Sequence, residues 1–569
     1  MPSIFSPWPQ PPPPLDGNAH LAAFYRPEHQ KALWKDGDFT LYVDLQNGQR
    51  LSYKGFLEAV ANTRRSLSSS GFLQGDIIGL MSDNCLEFPI LFHACLSLGV
   101  PVALIPPYLT PRELAHCLGT VMITKVFVDT QSRQHDWPNY IDLYTITATD
   151  GYTSLSEVMS RPASSNASNE VVHTKKDDIA YLMFSSGTSG LPKAIKVSHG
   201  NISYSIEQML ITARAAARVN PPRKVSTPEG IPLVLAFLPM CHTYALHTYC
   251  IRAGLTPKTF VIQRKWDLSD ALRAIPKYGI TDVNFVPSLA AQLVTHPDQN
   301  AVREALQSVR VSAAGGAYFP IDLKRRLQRL MPQAYLAEGY GLSEATITAI
   351  NQPPPGTLGG YKSIPGSCGV LFPGLHARLI DDAGNDVPQG TIGELLLSGP
   401  NIVQGYYGDS EEVQRANSST FHVDGGWMRT GDRFSIDAAG NFFFADRVKD
   451  TLKVSGLQVS PLEIENVLLA HPEGLAVEAA VAGVRGGRTE DERVPRAWVV
   501  LSERGHALGH DTVVAELVGW CQSQLSKYKW LRGGLEIVTH VPKNPTGKTL
   551  RRELVAKYEA RNLAAHAKL

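Results

Sequence analysis

Apolar and polar positions along this chain alternate in two periods, and the period changes along its length. Leu51 to Leu67 has helical spacing, with Tyr53, Phe56, Leu57 and Val60 on one face. Asp76 to Met81 and Val100 to Ile105 are short apolar runs that predict buried strands, with a helical stretch from Cys85 to Leu98 between them. Such a βαβ pattern predicts a parallel sheet with helices packed on it. Ile179 to Phe184 predicts another buried strand, and the alternating Ile195-Lys-Val197 a further one, so the polar stretch between them is the tip of a strand–loop–strand unit. Arg161 to Thr174 and Arg223 to Gly230 read as surface connections.

After Pro353-Pro-Pro-Gly356 the texture shifts to short strands and glycine turns. Ala377 to Ile380 and Glu394 to Leu397 flank Asp381-Asp-Ala-Gly384, while Phe434 to Ile436 and Phe442 to Phe444 flank Asp437-Ala-Ala-Gly440. These are hairpin signals and predict a β-rich subdomain over about 357–445. A second domain is expected from Lys449. Ser460-Pro-Leu-Glu463 reads as a capping box with proline at the first helical position, and Ile464, Val467 and Leu468 form the apolar face behind it. Strand-like Ala476 to Val484 and Ala497 to Leu501 follow, then a helix from Asp511 to Leu525. A small α+β unit of about 120 residues is an ordinary domain size.

Composition narrows the class without choosing a function. At 569 residues the chain is too long for one compact core. Its 43% hydrophobic and 19% charged residues are those of a soluble enzyme, and a formal net charge of +1 gives no reason to expect nucleic acid or an anionic membrane as partner. No apolar run approaches the ~18 residues of a membrane helix. Met1 to Leu15 is proline-rich and lacks the layout of a secretory signal, so residues 1–38 are expected to form a partly disordered arm. Seven scattered cysteines without a Cys-x-x-Cys pair argue against structural zinc and a disulfide framework.

The loop after Phe184 has the chemistry of a polyphosphate site. Ser185, Ser186, Thr188 and Ser189 bring hydroxyls, Gly187 and Gly190 let the backbone N–H groups approach a ligand, and Lys193 brings a cation. It is not a Walker loop, since Pro192 precedes Lys193 and no Ser or Thr follows. Downstream stand seven further blocks: Leu238-Pro-Met-Cys-His242, Glu338-Gly-Tyr-Gly-Leu-Ser-Glu344, Gly393-Glu-Leu395, Trp427-Met-Arg-Thr-Gly-Asp432, Asp446-Arg-Val-Lys-Asp450, Lys453-Val-Ser-Gly456 and Pro542-Lys-Asn-Pro-Thr-Gly-Lys548.

In this order the blocks resemble the adenylate-forming superfamily of acyl-CoA synthetases, coumarate-CoA ligases, beetle luciferases and peptide-synthetase adenylation domains. The resemblance runs from about Phe39 to the C-terminal helix. It implies an α/β fold: a large N-terminal domain (39–448) of two helix-flanked sheets plus the β-rich subdomain, and a small mobile α+β C-terminal lid domain (449–569).

The resemblance also implies roles. Ser185, Ser186, Gly187, Thr188, Ser189, Gly190 and Lys193 would grip the triphosphate of ATP. Ala194 stands where glycine is usual, and its methyl is expected to stiffen the loop. Glu344 with Thr188 would hold Mg²⁺, and Ser343 would offer a hydroxyl to phosphate. Gly315, Gly316, Ala317, Glu338, Gly339, Tyr340 and Gly341 would shape the adenine pocket, with Gly316 and Gly341 also bordering the acyl group. Asp432 would accept from the ribose hydroxyls and Arg447 add a cation. Lys548 is expected to be the adenylation lysine, Lys449 the hinge, and His242 and Tyr244 to meet the substrate acid. Lys453, Gly456 and Lys529 would face coenzyme A. His247 lies near His242 but lacks a third partner for a metal.

The function implied is an ATP- and Mg²⁺-dependent carboxylic acid:CoA ligase acting on a fatty or aryl, phenylpropanoid-type acid. An adenylating enzyme with another acceptor (a carrier protein, or oxygen in luciferase-like chemistry) and a non-catalytic binding paralogue stay open beside it. The terminal Ala567-Lys-Leu569 is a variant of the Ser-Lys-Leu address, so in a eukaryotic host a peroxisomal import receptor is an expected partner, and a cytoplasmic location otherwise.

Overall fold

A computed structural model describes residues 3–25, 38–160, 170–185, 192–220, 225–421, 423, 425–448, 450, 452–454, 457–486, 493–544 and 547–566. Two large sheets dominate it. One has seven strands in the spatial order Lys193–Ser198, Ile179–Ser185, Val102–Leu104, Ile78–Met81, Lys125–Val128, Asp142–Thr145 and Thr153–Ser154. All neighbours are parallel except the first pair, whose register sets Lys193 opposite Ser185 and Ala194 opposite Phe184. The other has nine strands. Its parallel centre runs Tyr335–Gly341, Val311–Ala314, Asp282–Phe285, Leu233–Ala236, Thr259–Ile262 and Thr40–Asp44.

Helices stand where the patterning predicts them, with ends set by local chemistry, and others it did not predict join them, among them His199–Val219 and Ile321–Leu330. The first long one is Tyr53–Ser69 rather than Leu51 onward, because Ser52 caps it: Ser52 Oγ accepts from Gly55 N at 3.1 Å. Arg50–Ser52 pair with Thr40–Asp44 as an edge strand instead. Glu87–Leu98 is buried on nearly every side, which is why it reads as apolar all round.

The β-rich section forms an antiparallel five-stranded sheet of Ile4–Phe5, His376–Ile380, Gly393–Ser398, Met428–Ile436 and Phe442–Arg447. Its first strand corrects the expectation of a disordered start. Ile4 and Phe5 pair with Ala377 and His376, Trp8 is buried, and Ala19–Phe24 is a helix with Ala19, His20, Ala23 and Phe24 in the core. Prolines cannot donate to a ladder, so a two-residue edge strand among them leaves no period in the sequence.

After residue 450 the apolar contacts form their own clusters, around Val454, Ile464, Leu468 and Val499 and around Trp498 and Leu554. Ala476–Arg485, Arg493–Leu501 and Leu535–Ile537 make a three-stranded sheet, with helices Pro461–Leu469, His510–Gln524 and Arg551–His566. The expected capping box at Ser460 is half formed. Ser460 Oγ accepts from Glu463 N at 3.4 Å, but the Glu463 carboxylate pairs with Lys529 Nζ instead of returning to the cap. A charge-assisted pair outcompetes a neutral backbone N–H.

Candidate active site

The parallel strands end where the motifs begin, so their carboxyl edges gather the polar residues in one place, as open α/β sheets do. Ile179–Ser185 runs into the phosphate-like loop, Leu233–Ala236 into His242, Val311–Ala314 into Gly315-Gly-Ala317, and Tyr335–Gly341 carries Glu338 and Tyr340. A cleft of about 250 Å³ lies there between the large unit and the residues after 450. Gly316, Ala317, Glu338, Gly339, Tyr340, Gly341, Asp432, Arg447 and Lys548 line it; Gly315 lies behind, against the Tyr244 ring.

Asp432 is the centre of one side of the cleft. Antiparallel pairing sets it opposite Arg447, whose Nε is 3.5 Å from Oδ1, and Tyr340 donates its phenol to Oδ2 at 2.7 Å. Burial, then the Asp432 charge, pushes the Tyr340 hydroxyl well above its ordinary range, so it remains a donor. Gly341 must be glycine, since a Cβ there would sit 1.7 Å from the Ile347 carbonyl oxygen. Glu338 is taken up locally: Lys324 Nζ donates to its Oε2 at 2.8 Å. Burial raises the Glu338 pKa and Lys324 opposes the rise.

Glu344 lies beyond the cleft lining. Burial raises its pKa, and Tyr406 Oη donates to its Oε1 at 3.2 Å. Lys193 Nζ stands 5.1 Å from the centre of the same Tyr406 ring. Ser343 Oγ shares a hydrogen bond with Thr243 Oγ1 at 2.7 Å. A hard divalent cation that keeps several waters needs one or two protein carboxylates. Glu344, with acceptor capacity left after one phenol bond, fits Mg²⁺. Among the described residues no group of three or more His, Cys, Asp and Glu could hold a metal by itself, and His247 is instead bonded through Nε2 to Tyr181 at 2.8 Å.

Lys548 enters from the other side. Its turn is closed by Lys548 N donating to Asn544 Oδ1 at 2.8 Å and Asn544 N donating to Lys548 O at 2.9 Å. Gly547 takes φ +83° and packs so close to Ser288 of the large unit that a Cβ would be 2.6 Å from Oγ. Asn466 Nδ2 donates to Tyr318 Oη at 3.1 Å across the same divide. Burial foremost, then repulsion from Arg447, brings the Lys548 ammonium down to about 8, with Asp432, Asp450 and Glu344 acting the other way. Lys548 thus feels the charges of four groups drawn from three other motifs.

His242 precedes the short helix Thr243–Ala245, and burial brings its imidazole down to about 4. It is neutral at pH 7, with Nε2 hydrogen-bonded to Tyr108 Oη. Tyr244 Oη donates to Ala313 O at 3.2 Å, so its polar end is tied to the sheet.

Several sequence-predicted positions fall outside the described residues: Ser186, Gly187, Thr188, Ser189, Gly190, Lys449, Gly456 and the Ala567-Lys-Leu569 tail. Ser185 is described only as the end of its strand, and Lys453 only as part of Leu452–Val454. Lys529 pairs with Glu463. One expectation changes. Ala194 belongs to the strand, not the loop: it is 1% exposed, and its carbonyl accepts from Tyr407 N at 2.7 Å. Its methyl fills apolar space beside Leu182 and Phe184 and cannot stiffen a turn it does not sit in. Sequence reasoning missed Tyr406, Tyr108 and Lys324. Tyr406 and Tyr108 lie in connecting segments and Lys324 in the helix Ile321–Leu330; none stands in a string with its own composition, and only the fold brings it to the site.

The fold and the cleft define a protein class, and comparison with known proteins says which. The family description "AMP-binding enzyme" matches residues 29–407, and "AMP-binding enzyme C-terminal domain" matches residues 463–548. The chain belongs to the AMP-binding enzyme family, among its CoA ligases. It is 31% identical over 534 residues to 4-coumarate--CoA ligase-like 6 of Oryza sativa subsp. japonica, covering 90% of this chain and 83% of that one. It is 29% identical over 523 residues to Peroxisomal OPC-8:0-CoA ligase 1 of Arabidopsis thaliana, covering 90% of both. In fold it is similar to the anthranilate CoA ligase AuaEII in complex with anthranoyl-AMP, with a TM-score of 0.79 at 24% identity over 97% of this chain and 99% of that one. Among the described residues no helix is long and apolar enough to cross a membrane.

Proposed function

We propose that this chain is an AMP-forming ligase that activates a fatty or aryl, phenylpropanoid-type carboxylic acid as its adenylate and passes it to coenzyme A. The observation that carries the reading is the position of Lys548. A lysine from the small unit reaches into the cleft that Asp432 and Arg447 line, close enough to Glu344 for their charges to interact.

In the first half-reaction a carboxylate oxygen attacks the α-phosphorus of ATP, the bond to the β-phosphate oxygen breaks, and pyrophosphate leaves. Such a transfer depends on positioning and charge stabilisation rather than on covalent chemistry from the protein. Asp432 accepts from the ribose hydroxyls while Tyr340 and Arg447 hold it in place. Lys193, with residues 185–190, holds the phosphates. Lys548 meets the charge that develops between the acid and the α-phosphate. Glu344 and Thr188 are the residues that would hold Mg²⁺, which neutralises phosphate charge when bound. Neutral His242 bonds the acid without adding a second cation.

In the second half-reaction the coenzyme A sulfur attacks the acyl carbon, the bond to the AMP oxygen breaks, and the thiol proton goes to solvent. For this the small domain (449–569) turns on the large one (39–448) about Lys449, withdrawing Lys548 and bringing Lys453 and Gly456 to the thiol's path. Ala194 gives no support to a non-catalytic paralogue, since its methyl is ordinary strand packing. The test is a panel of fatty and aryl acids. ATP plus the right acid should release pyrophosphate without coenzyme A, and adding coenzyme A should yield the thioester. Pyrophosphate without thioester points to another acceptor, and no pyrophosphate from any acid rejects the reading.

A further inference from the structure

Lys193 and Glu344 have side chains of opposite charge type and touch one side chain in common. Lys193 Nζ lies 5.1 Å from the Tyr406 ring centre, and Glu344 Oε1 accepts from the Tyr406 hydroxyl at 3.2 Å. Among the described residues no carboxylate pairs with Lys193. Tyr406 is itself 7% exposed and held on both sides of its backbone. Its N–H donates to Asn417 Oδ1 at 2.8 Å, and its carbonyl accepts from Asn417 Nδ2 at 3.2 Å.

The segment around Tyr406 also ties the two elements together. Lys196 N donates to Gly405 O at 3.0 Å, and Tyr407 N to Ala194 O at 2.7 Å, fixing it along the strand that carries Lys193. Val403 N donates to Glu344 O at 2.9 Å, fixing its other end to the turn that carries Glu344. A buried aromatic ring attracts an ammonium through its face, and a phenol donates to a carboxylate through its edge. One tyrosine can therefore engage both ions in different directions and keep them from neutralising each other.

We propose that Tyr406 is a positioning residue that holds Lys193 and Glu344 apart, leaving the ammonium for phosphate and the carboxylate for the divalent cation. This rests on the nucleotide-binding part of the proposed function, and not on the acid or the acceptor. Without the hydroxyl, Glu344 loses the fixed orientation that a cation site needs, while the ring still holds Lys193. Without the ring, both ions lose their partner.

The experiment is an equilibrium titration of ATP by calorimetry, in magnesium and in EDTA, on the full chain and on Tyr406→Phe and Tyr406→Leu. The phenylalanine variant should lose about tenfold in ATP affinity with magnesium, and under about twofold in EDTA. The leucine variant should lose affinity in both. Equal loss in both buffers for Tyr406→Phe, or none in either, overturns the proposal. If Tyr406→Leu does not fold, as circular dichroism would report, Tyr406→Phe still decides it. No catalysis is needed, so failure of every acid in the panel would reject the proposed ligase while leaving this titration readable.

Discussion

Two lysines approach the cleft from opposite sides, and they are held in different ways. Lys193 stands at the start of a strand hydrogen-bonded to its neighbour in the seven-stranded sheet, its ammonium against the Tyr406 ring. Lys548 stands on a turn of a separately packed unit, which meets the large one through Gly547 against Ser288 and Asn466 against Tyr318. In the proposed mechanism the first is part of the frame, whereas the second is brought in by docking and withdrawn by undocking. Docking has an electrostatic cost, because burial and Arg447 disfavour the Lys548 cation. The nucleotide's negative charge is what would offset it, so ligand binding and docking favour each other.

Loss of a group on the rigid side should have a large and uniform effect. Asp432→Ala removes the proposed ribose acceptor and the carboxylate to which the Tyr340 phenol donates. ATP affinity by titration should fall about a hundredfold, with the thermal midpoint also lowered, because a buried donor left unpaired costs about 1–3 kcal/mol.

On the docked side the effects should separate by half-reaction. Gly547→Ala puts a methyl against Ser288 Oγ at a residue with φ +83°. Adenylation, followed as pyrophosphate release, should drop about tenfold, in line with a strain of 1–3 kcal/mol. Thioester formation from supplied acyl-adenylate should be unchanged. A parallel fall in both would mean that the turn is needed for folding and not for docking.

The pH dependence of adenylation should carry the same signature. Lys548 acts as a cation and its ammonium titrates at about 8. The kcat/KM for adenylation, which reports the nucleotide-free enzyme, should therefore fall several-fold as pH rises from about 7 to 9. His242, already neutral above about 4, adds no acid limb near pH 6.5.

The smallest effect is expected at Ala194. Ala194→Gly should cost about 1 kcal/mol of stability through strand entropy and lost packing, read in denaturant unfolding. The adenylation rate should not change.

How much of this was legible in the sequence differs between the same two regions. Lys193, Glu344, Asp432, Arg447 and Lys548 were readable because each lies in a short string with its own composition, and the strands leading to them are plainly apolar. The sequence does not reveal that Glu463 takes Lys529, that Tyr406 separates Lys193 from Glu344, or that Ile4 and Phe5 extend a sheet made of residues more than 370 positions later. Those depend on contacts between segments far apart in the chain. Ala194 was misread for a related reason: whether a residue flanking a loop belongs to the turn or to the strand depends on its ladder partner, here Phe184.

The division between frame and docked lysine is tested most directly by measuring both half-reactions of Lys548→Ala. Removing one charge-stabilising group from such a site costs about 10²–10³ in rate, so pyrophosphate release from ATP and acid should fall by that factor. Conversion of supplied acyl-adenylate and coenzyme A to thioester should proceed within about twofold of the parent. Equal loss in the two half-reactions would contradict the account.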